Sequence, residues 1–138
     1  MRIMAVDFGD ARTGLAVSDK SATLAGEAWV IRAKSIDEAA RAIAADAASR
    51  EVATIVVGNP KNMDGSAGLR AEKSEKLAKR IRILCDCDVV LWDERMTTVR
   101  AHQILTDAGK FGKKRKKAVD AVAASLILES YLDYLNRK

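Results

Sequence analysis

A chain of 138 residues can form one domain with a substantial core and is too short for two ordinary ones. With 49% hydrophobic and 31% charged residues, no run long enough to span a membrane and no basic-then-apolar N-terminal signal, it reads as a soluble globular protein of the cytoplasm. The net charge of +5 suits a polyanionic partner, but 4% aromatic residues offer no stacking platform for bases, so nucleic acid would be held by backbone and shape.

The first stretch, Arg2 to Asp19, holds two short apolar runs, Ile3–Val6 and Leu15–Val17, each ending in an acid. Gly9 and Gly14 bracket a polar turn between them, so the stretch predicts a β-hairpin with Asp7 on a buried strand. A carboxylate there is costly unless it is paired, and a divalent metal is one reason to keep it; capping the turn through its own backbone is the bland alternative. Ala22 to Ile31 predicts a third strand at an edge. Ser35-Ile-Asp-Glu38 is a capping box opening a helix whose stripe is Ile36, Ala39, Ala40, Ile43, Ala44 and Ala47. Val52 to Val57 reads as a strand buried on both faces.

A long loop from Gly58 to Gly68 follows, and its segment from Asn62 to Gly68 is expected to border a site. Leu69, Leu77, Ile81 and Leu84 mark a second helix, and Val89 to Trp92 a strand ending in Asp93-Glu94-Arg95. Thr97 or Thr98 caps a third helix carrying Val99, Ile104 and Leu105, stopped by Gly109. Phe111 to Lys117 is read as a basic loop, and a last helix runs from about Lys117 to Leu135 with Val119, Val122, Ala123, Leu126, Ile127 and Tyr134 inward. Helices between the later strands imply parallel pairing, and the hairpin implies an antiparallel one. The expected fold is therefore α/β, a mixed sheet with helices on its faces.

Two cysteines one residue apart, Cys85 and Cys87, match no zinc pattern and are expected to be inert; with His102 the single histidine, any metal must be held by oxygen. Three acids fall at comparable places. Asp7 ends the first strand, Glu94 ends the last, and Asp120 sits in the first turn of the last helix. In open α/β sheets ligands bind at the carboxyl ends of the strands, where three converging acids would hold one or two Mg²⁺ or Mn²⁺ ions. Alternation lets only one of Asp93 and Glu94 face the site, and Glu94 is the choice. Taken singly, Glu94 fits an ion pair with Arg95, and Asp120 fits a helix-dipole acid. Lys113, Lys114, Arg115, Lys116 and Lys117, with Arg12 and Arg95, are expected to contact phosphates; a solvated loop, and ion pairs of Arg12 with Asp10 or Asp19, are the plainer readings.

Taken together, four segments resemble the YqgF family, in order along almost the whole chain. They are Asp7-x-Gly9-x-x-Arg12-x-Gly14-x-Ala16-x-Ser18-Asp19, then Val57-Gly58-x-Pro60 with Met63 to Ser66, then Asp93-Glu94-Arg95-x-Thr97-Thr98, then Lys116-Lys117-x-Val119-Asp120-Ala121 leading into Ile127 to Leu132. The resemblance implies a five-stranded RNase H-like fold related to the RuvC Holliday-junction resolvases, one nuclease domain over 1–138, and a role in processing pre-16S ribosomal RNA. It implies Asp7, Glu94 and Asp120 as acidic residues. Asn59 departs from the pattern, where a leucine or similar apolar residue is commoner, and the acid that the related resolvases carry after the fourth strand is missing.

These features predict a metal-dependent nuclease acting on pre-rRNA or branched DNA, a choice the residues leave open, as they do monomer or homodimer, with the ribosome or its precursor as a further partner. The rival from another class is a non-catalytic, ribosome-associated nucleic-acid binder that uses the basic run alone. A two-domain ATPase reading of Asp7-Phe-Gly9 needs more chain than is present.

Overall fold

The computed structural model describes residues 1–60, 68–93 and 113–137, and side chains from 121 onward in the last stretch. Expectations on Asn62 to Ser66, Glu94, Arg95, the helix after Thr97 or Thr98, His102, Gly109, Phe111 and Gly112 lie outside the described residues.

Five strands, β1 (Arg2–Asp7), β2 (Arg12–Ser18), β3 (Ala25–Arg32), β4 (Val52–Asn59) and β5 (Asp88–Asp93), form one sheet in the order β3-β2-β1-β4-β5. The hairpin β1–β2 and the pair β2–β3 are antiparallel, while β1–β4 and β4–β5 are parallel. The mixed sheet is the expected one, with β1 in the centre and β3 at an edge. Helices α1 (Ile36–Ser49) and α2 (Leu69–Leu84) cover one face, and α3 (Lys113–Asn136) covers the other.

Alternation along the strands sorts the core into two layers. Met4, Val6, Leu15, Ile55 and Val57 pack with Ile43, Leu77 and Ile81 under α1 and α2. Ile3, Ala5, Ala16 and Val56 pack with Ala124, Ile127, Leu128 and Leu132 under α3. The unbroken apolar run of β4 follows from its place between two strands and two helical layers. Truncating a residue such as Ile43, fully buried, to Ala costs about 2–5 kcal/mol.

The α1 cap is as expected: Ser35 Oγ accepts from Glu38 N at 3.1 Å, while Glu38 Oε2 accepts from Lys34 N at 2.9 Å. Four other expectations are corrected. First, β3 begins at Ala25, not Ala22. The Asp19 carboxylate accepts from Thr23 N at 2.8 Å and Leu24 N at 3.2 Å, which claims for a turn the amides a longer strand would use. Second, α2 buries Ala71, Ser74, Leu77, Ala78 and Ile81, leaving Leu69 and Leu84 in solvent. Third, the basic run is helix, not loop: α3 starts at Lys113, because Lys and Arg are strong helix formers with no glycine or proline among them to break it. Fourth, the buried stripe of α3 is Ala124, Ile127, Leu128 and Leu132, whereas Val122, Ala123 and Leu126 are half-buried and Tyr134 exposed.

Trp92 ties α3 to β5. Its Nε1 donates to Ser130 Oγ at 3.2 Å, and its ring meets that of Tyr131 edge-on at 5.2 Å. The cysteines are free: Cys85 ends α2, and Cys87 Sγ donates to Val52 O at 3.1 Å. Burial, helped by Cys85, pushes the Cys87 thiol up to about 11, so it is not a nucleophile at neutral pH.

Candidate active site

Asp7 is the last residue of the central strand, half-buried, at the edge where β1, β4 and β5 all end. Its partner on β2 is Gly14. On β4 the register Val6↔Val57 brings Gly58 beside it. The residues directly abreast of Asp7 on both neighbouring strands are therefore glycines. Following Ile3 and Ala5, Asp7 lies on the α3 side of the sheet. The turn after it is tight: a Cβ at Gly9 would lie 2.4 Å from the Arg12 carbonyl oxygen, so no larger residue fits.

Asp93 pairs with Asn59 at the ends of β5 and β4. By alternation after Val89 and Leu91, and after Ile55 and Val57, both lie on the α1/α2 side, opposite Asp7. The acid expected to be excluded from the site is thus on the other face. Asn59 is 4% exposed, and its Oδ1 accepts no hydrogen bond from the described residues.

Position 120 lies two turns into α3 rather than in its first turn, because the helix starts at Lys113. It is one turn before the fully buried Ala124. Asp7 and helix position 120 therefore both belong to the α3 side of the sheet. Glu94 lies outside the described residues, and among those described no three Asp, Glu, His or Cys side chains gather at one place. The donor chemistry is carboxylate oxygen, and with the glycine-flanked setting of Asp7 it fits a hard cation such as Mg²⁺ or Mn²⁺.

The first turns of α3 contain Lys113 to Lys117 and no acid in the first turn. Cations at a helix N-terminus add to the positive end of the dipole, which concentrates positive potential there. Arg12 opens β2. Of the nearby acids, Asp10 Oδ1 takes Lys73 Nζ at 2.8 Å, and Asp19 caps its own turn. Lys73 is a residue that sequence reasoning missed. It lies 63 residues from Asp10, and no local pattern signals that contact.

A β1-centred sheet with this order and one long covering helix is the RuvC-like, RNase H-like resolvase fold. Thermus thermophilus RuvC in complex with a Holliday junction substrate superposes with a TM-score of 0.63 at 13% identity, over 97% of this chain and 96% of that one. The fowlpox virus resolvase in complex with junction DNA gives 0.60 at 15%, over 98% and 99%. The family model described as "RuvX: Holliday junction resolvase" matches residues 1–134. A relative from Halothermothrix orenii named "Putative pre-16S rRNA nuclease" is 45% identical over 99% of this chain and 98% of its own. One of the same name from Halalkalibacterium halodurans is 42% identical over 96% of each. The chain belongs to the RuvX family, the one its motifs resemble under the name YqgF.

Proposed function

We propose that this protein is a divalent-metal-dependent nuclease that hydrolyses phosphodiester bonds in 5′-end processing of pre-16S ribosomal RNA, in the cytoplasm. The observation that carries it is the place of Asp7: half-buried, between glycines, at the carboxyl edge of the central strand, on the side covered by α3. Asp7, Glu94 and Asp120 hold the metal. A bound Mg²⁺ or Mn²⁺ supplies Lewis-acid stabilisation of the charge that develops on the phosphodiester. Arg12, Arg95 and the basic start of α3 neutralise flanking phosphates, and phosphate contacts set register without reading sequence. The relatives' name supports pre-rRNA as substrate.

A second reading, cleavage of branched DNA, is favoured by the family model's description and by the fold shared with resolvases. The test is cleavage of precursor rRNA and a four-way DNA junction side by side, with Mn²⁺ and with chelator. We expect metal-dependent cleavage of the RNA, abolished in Asp7→Asn with the fold intact, because an amide cannot supply the charge that holds a hard cation. Full activity in chelator or in Asp7→Asn sinks the metal mechanism, and cleavage of the junction alone selects the second reading.

A further inference from the structure

Beyond Asp7 the sheet continues into cations. Arg12 and Arg32 are register partners at the ends of β2 and β3. Two residues inward on each strand stand Gly14 and Val30, and two further in stand Ala16 and Ala28, which pack under α3. Alternation thus sets Arg12 and Arg32 on the same face as Asp7, two positions past the glycine that pairs with it. From the other side, the first turns of α2 bring Arg70 and Lys73 up to the β1–β2 turn. Lys73 Nζ meets Asp10 Oδ1 at 2.8 Å, and the positive field of Arg70 also reaches that carboxylate. Four cations from three elements (β2, β3 and α2) therefore lie along the sheet edge that carries the β1–β2 turn, and two of them, Lys73 and Arg70, act on its acid, Asp10. That acid is 80% exposed, so its ion pair with Lys73 is screened and easily exchanged.

We propose that Arg32, Arg70 and Lys73 form, with Arg12, a cationic rim that seats the phosphodiester backbone of the strand entering at Asp7. Asp10 stands in for one phosphate of that backbone until substrate displaces it. The inference rests on the nuclease reading and names residues that neither the motifs nor the basic run of α3 includes. The rim differs from that run in origin: it is assembled by strand register and by a contact across 63 residues. A backbone phosphate fits the rim better than a protein carboxylate partner would, because the cations follow the carboxyl edge of the sheet past the acid rather than forming a closed pocket. Exchanging Asp10 for phosphate leaves the charge at Lys73 balanced in both states.

The test measures binding of a labelled single-stranded RNA and its duplex across a salt series in chelator, so that hydrolysis plays no part. Each phosphate contact contributes about 0.7 to the slope of log affinity against log salt on a single strand and about 0.9 on a duplex. We expect Arg32→Gln and Lys73→Gln each to flatten the slope by about that amount. Asp10→Asn should do the opposite, tightening binding and steepening the slope, since it frees Lys73 and removes a competing charge. Urea midpoints confirm that each variant is folded. Unchanged slopes in both Gln variants overturn the rim. Weaker binding in Asp10→Asn overturns the stand-in role, since the pair would then only hold the turn. The two readings fail separately. If the wild type cleaves but the slopes do not move, the rim is wrong and the nuclease stands; if the slopes move but nothing is cleaved, the reverse holds.

Discussion

Replacing Asn59 by leucine should stabilise the protein without affecting hydrolysis. Asn59 is 4% exposed at the end of β4, and its Oδ1 accepts no hydrogen bond from the described residues. An unsatisfied buried polar atom costs about 1–3 kcal/mol. It faces the layer of Ile55 and Val57, under α1 and α2, where an apolar side chain would gain about 1.5–3 kcal/mol from burial. The larger leucine pays about 1–3 kcal/mol in local repacking, which roughly cancels that gain. The net expectation is therefore the orphan term, about 1–3 kcal/mol of added stability. At about 2–4 °C per kcal/mol for a chain of close to 150 residues, the melting temperature should rise by roughly 2–12 °C. Urea unfolding gives the cleaner readout: the midpoint should rise with the m-value unchanged. Asn59→Asp is the matched opposite, since it buries a charge in the same place and should lower the midpoint. A lower midpoint in Asn59→Leu would refute the reasoning, because the amide must then be making an interaction worth more than its desolvation.

The remaining expectations are narrower. Asp93 lies on the face opposite Asp7, so Asp93→Asn should retain most nuclease activity while Glu94→Gln loses it; the reverse ranking in a cleavage assay would exchange their roles. The Thr23 and Leu24 amides and the Thr23 hydroxyl hold the Asp19 carboxyl well below the usual carboxylate range. Its folded value is depressed, so the turn contributes stability above about pH 4 that is lost as pH falls; Asp19→Ala should flatten the acid side of the stability–pH curve, and an unchanged curve would rule this out. Replacing Lys113, Lys114, Arg115, Lys116 and Lys117 by Gln keeps helix propensity and removes the charge. For two or three contacts, the salt slope for RNA should then flatten by roughly 1.5 to 2.5; no change would make the run a solvated helix end.

The strands and the α1 cap were legible in the residues because each is a local matter. Alternation, a capping box and an unbroken apolar run depend on neighbours within a few positions, and β1, β4, β5 and Ser35 all came out where those patterns place them. Asp7 was legible as a site residue for the same reason: an acid ending an apolar run, followed by Gly9 and Gly14, is a local oddity. Helix faces were not. Apolar residues from Val119 to Leu135 surround much of α3, so periodicity allowed several stripes, and only packing against Ala5 and Ala16 selected Ala124, Ile127, Leu128 and Leu132. The start of α3 was also out of reach. A run of five cations reads as repulsive and loop-like, while helix propensity and continuity with a buried stripe make it helical.

What only the tertiary structure decided is which residues share an edge and a face. Strand order put β1 between β2 and β4, and register then set Gly14 and Gly58 beside Asp7, Asp93 and Asn59 on the opposite face, and Arg32 across from Arg12. Sequence distance carries no trace of such neighbours. Lys73 reaches Asp10 because both α2 and the hairpin turn begin at the carboxyl ends of the parallel neighbours β4 and β1, a consequence of chain topology and not of either segment's residues.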